Sequence, residues 1–191
     1  MSESIKFNTK KLEKLNNPDR VKTMDPDLIW EMLNIKKPQV LVDIGAGTGF
    51  YASLFSEKMN QGKIYACDSS EIMIDWMKEN LVNKIDSIMP IKSEENSIPL
   101  PDSIADLVYL MNVYHELEEP SKMLSEAYRL LKNGGKIATI DWKSQETPEG
   151  PSASIRIPKD TVIKDILNAG FINMEDHEIL TYHYFITGQK V

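Results

Sequence analysis

The sequence predicts an α/β domain: a mostly parallel sheet covered by helices on both faces. Three observations carry this. From residue 40 onward short apolar runs alternate with longer segments of helical spacing, as crossover-linked parallel strands require. The first run, Val40–Ile44, stops on three alternate glycines, Gly45, Gly47 and Gly49, and leads into a helix. That is the form of a ligand-holding turn at the carboxyl edge of such a sheet. Near the C-terminus two apolar runs follow with too little chain between them for a parallel return, so a strand there runs antiparallel.

Each element has its own warrant. The polar start holds a short helix, broken near Asn16–Pro18. Asp25-Pro26 then forms the cap and first turn of a helix that turns Leu28, Ile29, Met32 and Leu33 inward. Residues 1–37 are expected to form a helical arm or lid, and residues 38–191 the main domain. Residues 49–60 form a helix with Phe50, Leu54 and Phe55 inward, and residues 63–68 a buried strand. A helix capped by Ser69 or Ser70 comes next, then a weakly apolar third strand near residues 85–93. The run DLVYLMNV is continuous enough to lie mid-sheet. A helix begins after Pro120 and ends at Gly134-Gly135, followed by the strand GKIATIDWK. A last helix ends at Gly170, before the late hairpin.

Composition narrows the function. The 191 residues suit one domain with a short arm, and the net charge is −7. A negative chain lacks the field that nonspecific binding to nucleic acid or anionic lipid requires. The single cysteine, Cys67, forms no internal disulfide, and three separated histidines predict no metal site. With no long apolar run and no signal-like start, the chain is expected to be cytoplasmic and without a membrane span.

The glycine turn admits more than one ligand by itself. No Lys-Ser/Thr pair follows it, which excludes a phosphate-binding P-loop. A dinucleotide fingerprint fits only with Ala52 in the third glycine's place. Asp43, directly before the glycines, would repel a pyrophosphate and suits a cationic or amino-bearing ligand. Asp68, at the end of the second strand, is placed to accept hydrogen bonds from ribose hydroxyls. A nicotinamide-dependent oxidoreductase and a non-catalytic cofactor-binding module remain the competing readings.

In order along the chain, VLVDIGAGTGFYA, YACDSSEIMIDWMKEN, SEENSIPLPDSIADLVYLMNVYHEL and LLKNGGKIATIDWK resemble four motifs of the class I S-adenosylmethionine-dependent methyltransferases. The nearest flavour is the small-molecule group that includes the ubiquinone/menaquinone biosynthesis methyltransferases. The resemblance implies a Rossmann-like three-layer sandwich, with a seven-stranded sheet whose last strand is antiparallel. It implies S-adenosylmethionine as methyl donor and S-adenosylhomocysteine as product. Gly45, Ala46, Gly47 and Gly49 would lie under the methionine portion, with Asp43 orienting it. Asp68 would hold the ribose, and Ser69, Ile72 or Met73 would touch the adenine. Glu94 would read the adenine amino group beside Glu95, and Asn112 and Val113 would lie near the sulfonium. The chain departs from the group in a short crossover between the third and fourth strands.

Displacement at a sulfonium needs alignment more than a charged catalyst, although an amine or hydroxyl acceptor must still lose a proton. His115, after the fourth strand, is the base candidate because its ordinary pKa lies near neutrality, and Glu116 would orient it or bind a cation. Tyr51, Trp142, Lys143 and Arg156 are the candidates for an acceptor pocket, Lys143 and Arg156 for an anionic group. A small molecule is the expected acceptor. His177 and His183, in the late hairpin, are expected to lie far from the crevice.

Overall fold

The structure, a computed structural model, describes residues 12–191. Residues 1–11 of the expected arm lie outside the described residues. Helical backbone at residues 12–15 stops at Asn16, and a tight helical turn, Pro18–Lys22, follows. Asp25 then caps helix α1 (Pro26–Leu33), its carboxylate accepting from the Asp27 N–H at 2.8 Å. Such a cap contributes about 1 kcal/mol. Ile29 and Leu33 are buried, at roughly 1.5–3 kcal/mol each, and tie the helix to the main core. Leu28, expected inward, is 44% exposed.

The remaining elements are β1 (Val40–Ile44), α2 (Phe50–Ser56), β2 (Lys63–Asp68), α3 (Glu71–Met77), β3 (Ile88–Lys92), β4 (Ala105–Met111), α4 (Pro120–Leu130), β5 (Leu131–Trp142), α5 (Lys159–Asn168), β6 (Ile172–Asp176) and β7 (His183–Gln189). They form one seven-stranded sheet in the order β3-β2-β1-β4-β5-β7-β6. The pairs from β3 through β5 are parallel, and β7 runs antiparallel to both β5 and β6. The strand DLVYLMNV takes the middle place, where both faces are covered, and the weakly apolar third strand takes an edge. Residues 93–104, between β3 and β4, form no helix.

Side chains alternate across the sheet. Leu41, Leu107 and Tyr109 face one core with α1, α2 and α3. Val42, Ile44, Val108 and Leu110 face the other with α4 and α5. Three layers result, as the alternating pattern predicts.

The Gly134-Gly135 pair does not end α4. The helix stops at Leu130 and β5 begins at once. Ala105 pairs with Leu131 but Leu107 pairs with Lys136, so residues 132–135 bulge out of the ladder. Gly134 takes φ +79 there. The glycines are needed by a bulge, not by a helix cap.

Candidate active site

At the carboxyl end of β1 the chain turns through Gly45, Gly47 and Gly49, with φ of +70, +58 and +71. L side chains rarely adopt these angles. At Gly45 the space is also closed, because an added Cβ would lie 2.4 Å from Val113 Cγ2. Two bonds to the Asp68 carboxylate fix the turn to its neighbour. Gly47 N–H donates to Oδ2 at 2.8 Å and Ser70 N–H donates to Oδ1 at 2.8 Å. Both bonds orient the Asp68 carboxylate at the carboxyl edge of the sheet.

The turn floors a cavity of about 230 Å³. Asp43, Gly45, Ala46, Gly47, Asp68, Ser69, Met73, Glu94, Glu95, Asn112 and Val113, all expected at the cofactor, line it, as do Glu116 and Tyr51. Gly49 is not on the wall; it admits Leu81 and Met77 behind the turn. Ile72 is 46% exposed and outside the cavity, so the helix presents Met73 instead. Sequence reasoning missed Leu15, Arg20, Ser93, Met111 and Leu117 on the wall. Ser93 had a signal, since it directly follows β3 at the same carboxyl edge. Leu15 and Arg20 had only the general expectation of an arm or lid over residues 1–37.

The charges are lopsided. Asp43, Asp68, Glu94, Glu95 and Glu116 face the cavity, against Arg20 as its only cationic residue among the described residues. Asp43 is 3% exposed, and burial pushes its carboxyl pKa well up. The Tyr109 hydroxyl opposes that rise, the Asp68 charge adds to it, and Arg20 opposes it. Asn112, at the end of β4, sits at φ +58. Its Oδ1 is buried and accepts no hydrogen bond among the described residues. A ligand that brings a cation and N–H or O–H donors satisfies these groups; a pyrophosphate would not.

His115 lies just behind this wall. Its Nδ1 is 2.8 Å from Asp141 Oδ1, and its backbone N–H donates to Asp141 Oδ2 at 3.0 Å. Its Nε2 is 3.8 Å from Glu116 Oε1. Burial works against the imidazolium, but the Asp141 bond and charge, with Glu116, outweigh it and raise the His115 pKa above 6.5. Asp141 is itself 1% exposed, and its place at the end of β5 makes the pairing possible. Twenty-six residues separate the partners, so no local motif announces them.

The proposed acceptor residues divide. Tyr51 lines the cavity, and its hydroxyl donates to Met24 O at 3.1 Å. Trp142, Lys143 and Arg156 do not line it. Lys143 Nζ donates to the carbonyls of Leu180 and Thr181. The buried Arg156 guanidinium donates to the carbonyls of Lys143, Gln145 and Pro151 and lies 5.2 Å from the Trp142 ring centroid. These cations staple the loop after β5, leaving neither directed at an acceptor anion. His183 is not remote: it pairs with Trp142 in the β5–β7 ladder, at the carboxyl edge. Its ring is buried 4.1 Å from the Trp142 ring, and burial lowers its pKa to about 4. His177 stays away from the cavity, beside Thr187.

Comparison with known proteins agrees with this geometry. The sequence pattern of the family described as "Methyltransferase domain" matches residues 42–139. The ubiquinone/menaquinone biosynthesis C-methyltransferase UbiE of Pectobacterium carotovorum subsp. carotovorum (strain PC1) is 26% identical over 115 residues, 59% of this chain and 46% of that protein. UbiE of Francisella philomiragia is 27% identical over 128 residues, 63% of this chain and 51% of that protein. The chain thus spans about half the length of the curated relatives it matches. A crystal structure of a SAM-dependent methyltransferase from Aquifex aeolicus superposes with a TM-score of 0.89 at 33% identity, over 95% of this chain and 98% of that one. The pattern match, the sheet order and the carboxylate-lined glycine turn agree: the chain belongs to the methyltransferase-domain family, within the class I S-adenosylmethionine-dependent methyltransferases.

Proposed function

We propose that this chain transfers a methyl group from S-adenosylmethionine to a small-molecule acceptor by in-line displacement. The observation that carries the reading is the convergence of Asp43, Asp68 and the bare glycine turn on one cavity at the carboxyl edge. The cofactor, when bound, supplies a methyl group on a positively charged sulfur. Asp68 accepts from the ribose hydroxyls. Asp43 and the unsatisfied Asn112 Oδ1 receive the cationic end. Met73 and Ser69, with Glu94 and Glu95, flank the adenine. The covering arm supports the lid reading, since Leu15 and Arg20 reach the cavity from it. Beyond the sheet, its helices and that arm, residues 12–191 add little that would grip a macromolecule.

A proton shed by the acceptor passes to the Glu116–His115 pair. Asp141 accepts from Nδ1–H of His115, which leaves Nε2 as the basic nitrogen beside Glu116. Tyr51 and Glu116 are the acceptor contacts this reading retains. The test incubates the chain with methyl-labelled S-adenosylmethionine and a fractionated metabolite pool, with product read by mass spectrometry. A labelled small molecule that has gained one methyl group supports the reading. Cofactor binding without transfer to any metabolite overturns it in favour of a non-catalytic module.

A further inference from the structure

His183 lies beyond the stretch that the methyltransferase-domain pattern matches, residues 42–139. Its ring is 1% exposed, and neither Nδ1 nor Nε2 makes a hydrogen bond among the described residues. The other two histidines differ. His115 pairs with Asp141 and His177 with Thr187. A buried imidazole always carries at least one N–H donor, and in its neutral form one acceptor as well. Leaving both without partners is a cost that an apolar side chain at this place would avoid.

The place of the ring says what it could meet. His183 pairs with Trp142 across the ladder, at the carboxyl edge of β5. Side chains alternate along a strand, so His183 faces the same side of the sheet as Phe185. Phe185 shares a core with Met111, Leu180 and the arm's Met24. Met111 also lines the cofactor cavity, and Met24 Sδ accepts from Asn112 Nδ2 at 3.3 Å. One row therefore runs from the cavity at Met111 and Asn112, past Met24, to the first residues of β7. Methionine is an adaptable side chain that can yield this space.

The ring is also held still. It lies 4.1 Å from the Trp142 ring. Trp142 is packed in turn by the Arg156 guanidinium and by Gly150, where an added Cβ would lie 2.9 Å from the indole. Asp141 favours a charge on His183; burial, Arg20, Arg156 and Lys143 oppose it, and the ring stays neutral. A neutral ring suits an uncharged partner. A hydroxyl can donate to the bare nitrogen or accept from the N–H, so either tautomer serves it.

We propose that His183 is a specificity residue that hydrogen-bonds an uncharged hydroxyl of the methyl acceptor, extending the site from Asn112 towards β7. This rests on the small-molecule reading above. The acceptor seats where Met24 now stands, and the proton it sheds still goes to the Glu116–His115 pair.

The test uses the full chain as wild type, His183→Leu and His183→Gln. The probe is the metabolite fraction that takes label from methyl-labelled S-adenosylmethionine, supplied at increasing amounts. H183L is expected to melt no lower than wild type and to bind S-adenosylhomocysteine within about twofold, while its apparent KM for that fraction rises at least about tenfold and kcat changes less. H183Q, which keeps a donor and an acceptor, recovers part of the loss. An apparent KM within about twofold in H183L overturns the assignment and leaves the methyltransferase reading standing. So does a labelled product whose mass spectrum shows no oxygen function, or an H183L chain that loses S-adenosylhomocysteine together with its melting temperature. A wild type that binds S-adenosylhomocysteine and labels no fraction overturns both readings.

Discussion

Asp43 concentrates the tension of the site in one side chain. Its carboxyl is buried, and burial raises its pKa well above the unfolded value, with Tyr109 and Arg20 opposing and Asp68 adding. A carboxyl whose folded pKa exceeds its unfolded one destabilises the fold at every pH above the unfolded value, about 3.9. Asp43→Asn is therefore expected to melt no lower than wild type at pH 7, while binding S-adenosylhomocysteine at least about tenfold more weakly. A lower melting temperature with unchanged affinity would mark Asp43 as a structural residue. His115 works in the opposite sense. Asp141 and Glu116 raise its pKa against burial, so the neutral, basic form prevails only above that raised value. Asp141→Asn removes the charge, and the acid limb of kcat/KM against pH should move to lower pH as the rate falls. An unmoved limb would remove His115 from the proton path. At this scale the sequence was legible where a residue's role follows from its position at a strand end, as for Asp43, Asp68 and Asn112. It was silent on the roles of Asp141 and Arg20 and placed His183 too far from the carboxyl edge, because their partners come from other segments. It misled on Lys143 and Arg156, because charge in a loop says nothing about the carbonyls that will take it up.

Among the elements, the glycine turn is the most constrained. Gly45 combines a left-handed φ of +70 with a closed space against Val113. Gly45→Ala should cost about 1–3 kcal/mol in urea denaturation, and adding Val113→Ala should return part of that loss. A G45A variant within about 0.5 kcal/mol of wild type would show that the loop relaxes freely. The strand and helix order was readable because period and punctuation agree over most of the chain. The Gly134-Gly135 pair was misread because a glycine after a helix serves equally as a cap or as the first bend of a bulged strand. Only the pairing of β4 with β5 decides between them. The edge place of β3 accounts for its weak apolar pattern, since an edge strand has a partner on one side alone.

For the whole molecule, a sheet with a net-acidic rim explains why an acidic chain suits a cationic cofactor. The net charge of −7 and the five carboxylates of the cavity act in the same direction. The arm reaches the cavity wall through Leu15 and Arg20, and its Met24, Ile29 and Leu33 share the core of one sheet face. The number and sense of the strands followed from resemblance and crossover rules. How far the arm shares the core did not, because a short amphipathic helix after a polar stretch reads the same whether it packs or frays. The central claim is that Asp68 and the glycine turn hold an adenosyl ligand. Titration calorimetry of S-adenosylhomocysteine into wild type and Asp68→Ala tests it most directly. The account predicts one site per chain and binding at least about tenfold weaker in D68A. An unaltered affinity in D68A, or no binding by the wild type, would contradict it.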